Sequence, residues 1–298
     1  MSSSKRKSKT KVSKSPTQVA RTPFEDHIRS LLVLGRLSEK HIALLTTPET
    51  LREFRFCFTD KTADPINNLE TYEWFGDVVI NEFLCFYIRE KHPEITNVGW
   101  LSKIKGKLAS GKILGRLAME RGFEKFAIYG EEIAHLRDHP ELDEKIEYVK
   151  MFENIFEAFF GCLTLLMRRE GFRHGTAIQI CHNILEEIYS TYEISFKYED
   201  VFDAVSRLKE LYENRARNLR WPNQMAYAFT KLPLWSVKVY GWPGVRGIAG
   251  YNNKILLAEV TAVNKDEAKQ KGAKEALKVL FEKYGIQDLR PTSKTVNR

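Results

Sequence analysis

Two long runs, ETYEWFGDVVINEFLCFYIREKH (70–92) and IEYVKMFENIFEAFFGCLTLLMRREG (146–171), carry helical patterns that are apolar over most of one face. A helix with so wide an apolar face must be buried against other helices. Yet each run carries polar residues inside its apolar stretch. The first holds Glu70, Glu73 and Asp77 among Tyr72, Trp74, Phe75, Val78, Val79 and Ile80; the second holds Asn154 and Glu157 within MFENIFEAFFG. Two such helices can meet with their polar pairs facing one another.

The pattern stays helical from about residue 22 to about residue 200. TPFEDHIRSLLVL opens a helix: Thr22 can cap it, Pro23 suits its first turn, and Glu25 takes the capping-box position. WLSKIKGKLASGKILGRLAMERG reads as two helices joined near 109–111, and TAIQICHNILEEIYSTY as another. The pattern changes near Asp203. DAVSRLKELYENRA is helical, QMAYAFTK, LWSVKVYG and KILLAEVTA are strand-like, and NKDEAKQKGAKEALKVLFEKYG is a closing basic helix. The Gly/Pro-rich GWPGVRGIAGYNN separates the second and third strands. The expected fold is therefore an all-α domain at 23–200 followed by a small α+β domain at 201–285, in the order α-β-β-β-α, flanked by tails at 1–22 and 286–298.

With 43% hydrophobic and 29% charged residues the composition is globular. No apolar stretch reaches the 18 or so residues a membrane helix needs, and the Ser/Lys-rich N-terminus lacks the apolar segment of a secretory signal. The four cysteines (Cys57, Cys85, Cys162, Cys181) lack zinc spacing and read as reduced core thiols of an intracellular protein, cytoplasmic or nuclear. The net charge of +8 is uneven: 1–23 hold +7, 24–202 hold −8, 203–285 hold +7 and 286–298 hold +2. The basic parts suit a polyanion partner. The basic N-terminal tail is expected to be disordered, and reads as a solubilising segment, a nuclear address or an RNA-binding arm.

Glu70, Glu73 and Asp77 follow an i, i+3, i+7 spacing and so share a helix face. Such a cluster repels itself unless something cationic compensates. A set of hard oxygen ligands without His or Cys suits Mg²⁺ or Mn²⁺ rather than zinc. Two such ions about 4 Å apart is a common arrangement for phosphodiester hydrolysis. The same acids also read as helix N-terminal charges and salt-bridge partners, Glu70 above all.

ETYEWFGDVVI resembles the signature helix of the ribonuclease III family, approximately E-R-L-E-F-L-G-D-A-V-L. FENIFEAFFGCL is similar to the family's second catalytic helix, D-x-x-E-A-L-I-G-A. FTDKT (58–62) is similar to a family stretch in which His stands where this chain has Asp60. Residues 203–285 resemble a double-stranded-RNA-binding domain. The resemblance implies a Mg²⁺-dependent endoribonuclease, with Mn²⁺ a possible substitute. It would cleave double-stranded RNA as a homodimer, leaving 5′-phosphates and short 3′ overhangs. It places Glu73, Asp77, Glu157 and Asn154 at metal-binding catalytic positions, Glu70 at an accessory acid position and Trp74 at an aromatic position that enters the partner subunit. Gly76 would let helices approach closely.

Asn154 departs from the family's Asp, leaving −3 at the site from Glu73, Asp77 and Glu157. Lys112 stands where many relatives carry an acid or Asn. In the basic domain, Glu210 matches a residue that meets 2′-hydroxyls, and Lys265, Lys269 and Lys271 match or neighbour a phosphate clamp. The family's glycine–proline–x–histidine loop is replaced by the shorter KLPLW. The alternative function is a catalytically degenerate double-stranded-RNA-binding protein, sequestering duplexes or serving as a structural component of a ribosome or RNA-processing complex.

Overall fold

The computed structural model describes residues 20–138, 145–192, 198–219, 225–241 and 254–286. Most of the basic N-terminal tail, most of the Gly/Pro-rich stretch and the segment after Ile286 lie outside the described residues.

The chain opens with helices α1 (Pro23–Leu34), α2 (Glu39–Leu45) and α3 (Pro48–Cys57). Thr22 caps α1 by accepting a hydrogen bond from the Glu25 N–H at 3.2 Å, and Thr47 caps α3 through Thr50 at 3.3 Å. A proline follows each cap, where its missing N–H costs nothing. The long helices are α4 (Glu70–Lys91) and α8 (Lys145–Arg169). Between them lie α5 (Val98–Leu108), α6 (Gly111–Glu120), a 3₁₀ turn (Phe123–Phe126) and α7 (Glu131–Asp138). Helix α9 (His174–Tyr189) completes the bundle, and α10 (Tyr198–Val201) leads out of it. The first unit is helical except for one isolated parallel bridge, Thr59 to Ile128, among the described residues.

The inner face of α4 is Gly76, Val79, Ile80, Phe83, Leu84, Tyr87 and Ile88, a regular i, i+3, i+4 repeat. Helix α8 has no comparable outer face in its middle. Phe152, Phe156, Phe159 and Phe160 are all fully buried, each worth roughly 1.5–3 kcal/mol of apolar burial. It is the central helix, and α4, α6 and α9 pack around it.

The α4–α8 crossing depends on two glycines. A methyl group at Gly76 would overlap the carbonyl oxygen of Glu157, and one at Gly161 would overlap the carbonyl oxygen of Tyr72. Each glycine faces the backbone of the opposite helix one turn from the other glycine. On the far flank of α8, Gly115 of α6 faces the Val149 carbonyl in the same fashion, while Gly111 lies against the Glu153 carboxylate.

The second unit comprises α11 (Ala204–Leu219), strands β1 (Ala226–Leu232), β2 (Leu234–Gly241) and β3 (Ile255–Ala262), and α12 (Lys265–Tyr284). The sheet is an antiparallel meander in the order β1-β2-β3. Phe229 pairs with Val237 and Val239 with Ala258, with an irregularity after Val239. Helices α11 and α12 pack together, and α12 lies against β2 and β3. Asn264 caps α12 by accepting from the Glu267 N–H at 2.7 Å. Left-handed Gly285 ends it, with the Ile286 N–H bonded back to Leu280.

Three expectations change. Ile286, expected in a tail, is buried in the second core because that helix ending folds it back. Val201 and Phe202, expected in the second domain, pack into the helical core. Cys57, Cys162 and Cys181 are buried free thiols, but Cys85 is exposed because it falls on the outer face of α4. Among the described residues no helix is long and apolar enough to cross a membrane.

The crossing predicts opposite signs for two kinds of glycine. Gly76→Ala and Gly161→Ala should each destabilise the protein by about 1–3 kcal/mol or more. Gly106→Ala, on α5 with open space around it, should stabilise by roughly 0.5–1 kcal/mol. Urea unfolding midpoints at one protein concentration check this, and equal effects at all three positions would contradict it.

Candidate active site

The glycine crossing sets one turn of α4 against one turn of α8, and the polar residues of both runs arrive there. Glu157 is only 8% exposed. Burial pushes its carboxyl up to about 8, with Asp77, Glu153 and Glu73 adding repulsion and Lys150 opposing it. Glu73 is half-buried and also raised, by burial first and then by Glu70, while Lys150 opposes. Asp77 is exposed. Its Oδ1 accepts a 2.7 Å hydrogen bond from Asn81, whose own oxygen accepts from Lys105 Nζ at 2.8 Å. Glu70, at the first position of α4, is ion-paired with Lys61 at 2.6 Å.

Glu153, which helical spacing within one run does not single out, joins the cluster. It lies one turn before Glu157 on α8, the same i, i+4 spacing as Glu73 and Asp77. Its carboxylate rests against Gly111 at the start of α6, where the helix dipole favours a negative charge. Burial raises its carboxyl, with Asp77 adding to the effect and Lys150 opposing it. The cluster thus holds four carboxylates, Glu73, Asp77, Glu153 and Glu157, rather than the three expected. Lys150, likewise not singled out by spacing, is the cation that acts on three of them.

Asn154 is half-buried beside this cluster. Lys112 is exposed in the first turn of α6 and reads as a surface lysine. Trp74 is 69% exposed and sits edge-on to Phe75 at 4.9 Å. With Val78 and Phe86, also exposed, it forms an apolar stripe along the outside of α4.

An all-oxygen donor set whose members repel one another suits a hard divalent cation. The donors are not gathered, however: among the described residues no three acidic, His or Cys side chains converge on one cation position. Asn81 donates a hydrogen bond to Asp77, Lys61 pairs with Glu70, and the Glu153 carboxylate lies against Gly111. The chemistry fits such an ion; the carboxylates lie close enough to repel one another but do not converge on one point.

In the second unit Lys265 Nζ lies 5.0 Å from the Phe229 ring centre and 5.6 Å from that of Trp235, and Lys269 lies 5.5 Å from Tyr227. These two lysines share a face over an aromatic row. Lys271 does not join them. It pairs with Glu267 at 2.7 Å, because two residues of helix turn it well away from Lys269. Glu210 is half-buried on α11. Burial raises its carboxyl, and the charge of Lys103 on α5 works the other way.

The raised Glu157 makes stability depend on pH. Its folded-state value, near 8, lies above the ordinary 4.5. The native state therefore keeps a proton that the unfolded chain releases, and the stabilisation is lost as pH rises from about 4.5 through about 8. In EDTA the parent's melting temperature should fall across that window. Glu157→Gln should flatten the decline and melt higher at pH 8, by about 2–4 °C per kcal/mol recovered. Parallel melting curves for the two proteins would contradict this.

Residues 70–167 match the family model described as the Ribonuclease III domain. Proteins called "Putative ribonuclease 3" in Invertebrate iridescent virus 6 and Frog virus 3 are 29% and 26% identical over 272 and 252 residues. The first match covers 88% of this chain and 89% of the relative; the second covers 84% and 61%. The solved nuclease domain of ribonuclease III from Campylobacter jejuni superposes with a TM-score of 0.40 at 18% identity, covering 56% of this chain and 98% of that one. The matched segment runs from the first residue of α4 nearly to the end of α8 and contains every carboxylate of the cluster, so the part of the chain that carries the candidate site is the part that matches the Ribonuclease III domain.

Proposed function

We propose that this chain is a metal-dependent endoribonuclease that hydrolyses double-stranded RNA, leaving 5′-phosphates and short 3′ overhangs. The observation that carries the reading is the four-carboxylate cluster at the α4–α8 crossing, within the segment that matches the family. Glu73, Asp77, Glu153 and Glu157 would hold Mg²⁺, or Mn²⁺ in its place, with the Asn154 carbonyl as a further oxygen donor. Such an ion, when bound, supplies Lewis acidity and helps activate water at a phosphodiester. The chain's own share is electrostatic. Its carboxylates are crowded together, so a cation relieves their repulsion. Asn81 and Lys105 orient Asp77, and the start of α6 orients Glu153.

The second unit supplies duplex affinity in this reading. Lys265 and Lys269 would meet phosphates and Glu210 the 2′-hydroxyls, largely without sequence preference. Affinity should fall steeply with salt. The Trp74–Val78–Phe86 stripe supports a homodimer, since an exposed apolar strip on a helix is stabilised by being covered.

One observation favours a second reading. An amide at position 154 and carboxylates that do not converge also suit a duplex-binding protein that does not cut.

Cleavage of an end-labelled RNA duplex in Mg²⁺, in Mn²⁺ and in EDTA tests the proposal. The parent should yield short products only with metal. Glu157→Gln and Asp77→Asn should each lose at least about 100-fold, the equivalent of about 2.7 kcal/mol. A parent that shifts the duplex but never cuts, together with an Asn154→Asp variant that does cut, would establish the binding reading instead.

A further inference from the structure

Between the helical unit and the α+β unit, Val201 and Phe202 are 8% and 7% exposed and packed into the helical core. The Phe202 ring meets Trp100 of α5 edge-on at 5.4 Å, and Lys103 Nζ lies 5.9 Å from its centre. The very next residue belongs to the other unit. Asp203 Oδ1 accepts the Ser206 N–H at 2.9 Å to cap α11, and accepts Gln270 Nε2 of α12 at 3.0 Å. The Gln270 oxygen in turn accepts the Val205 N–H at 3.4 Å.

A residue seated in the helical core is therefore joined by a single peptide link to a residue hydrogen-bonded to both helices of the second unit. A spacer of several residues would let the units reorient freely; one link leaves only a few backbone torsions. Helix α10 adds contacts on both sides. Glu199 and Asp200 line a groove of about 570 Å³ with Arg207 and Lys274 of the second unit. Asp200, Val201 and Asp203 line another, of about 430 Å³, with Lys103 and Lys107 of α5. The charge of Lys103 acts on Asp203 and on Glu210, so the contact is electrostatic as well as apolar.

We propose that Phe202, seated against Trp100 beneath Lys103, is a positioning residue that holds the α+β unit at a set orientation on α5. The functional half of this inference rests on the nuclease reading: the unit that grips the duplex then stands at a fixed reach from the carboxylate cluster, and that reach sets where the duplex is cut.

The test is single-molecule energy transfer in the full chain. Dyes are placed on Arg52→Cys and Glu282→Cys, both exposed positions, in a Cys85→Ser background, with labelled chains diluted into unlabelled ones. The background should give one narrow transfer population. Phe202→Ala should broaden and shift it, and Phe202→Tyr should restore it. Lys103→Glu, which sets like charges against Asp203 and Glu210 and removes no buried group, should broaden it too. A background population already as broad as that of Phe202→Ala, or two variants that leave it unmoved, would overturn the proposal.

On a duplex with one blocked end, Phe202→Ala should scatter cut positions that the background protein places sharply. Sharp cutting by Phe202→Ala despite a broadened transfer population would overturn the functional half. A narrow background population in a protein that never cuts keeps the anchor and overturns the nuclease reading.

Discussion

The approach of α4 to α8 at Gly76 and Gly161 is the constraint on which the rest of the helical unit depends. Each glycine faces a carbonyl of the opposite helix, so the two backbones lie closer than any side chain would allow. That closeness buries the inner face of α4 against the phenylalanines of α8. It also brings Glu73 and Asp77 from one helix beside Glu153 and Glu157 from the other. The packing and the candidate site therefore share one origin: the crossing that completes the core also crowds the carboxylates.

Crowding has an electrostatic consequence. Glu157 is nearly excluded from water beside three other acids, and its proton is hard to remove. Lys150 offsets part of the repulsion at Glu73, Glu153 and Glu157. A site arranged this way gains by taking up positive charge. Asn154 brings an uncharged amide beside the cluster, and Glu153, the preceding residue, places a carboxylate in it.

The C-terminal unit obeys a different logic. Its core is small, and its sheet is covered by two helices whose N-termini are fixed by Asp203 and Asn264. Lys265 and Lys269 stand over Tyr227, Phe229 and Trp235 rather than beside acids, which keeps their charge available while ordering their stems. Lys271 lies on another face and is neutralised by Glu267. The one-residue step from the buried Phe202 to the capping Asp203 makes this unit an extension of the helical core rather than a free pendant.

The local pattern of the chain determined its helices and strands. The periodic apolar faces of α4 and α9, the Thr22 and Asn264 caps, the break between α5 and α6 and the three strands all stand near their expected places, because each depends on neighbours within a few residues. The pairing of Glu73 with Asp77 was legible for the same reason: helical spacing says which residues share a face. Spacing does not say what covers that face. Only the tertiary structure decided that Glu153 joins the cluster against Gly111, that Trp74 and Cys85 face outward, that Lys112 lies on the surface, that Lys271 parts from its neighbours and that Phe202 docks on Trp100. Each of these depends on a second element arriving from far along the chain, and the pattern within one helix carries no record of its partner.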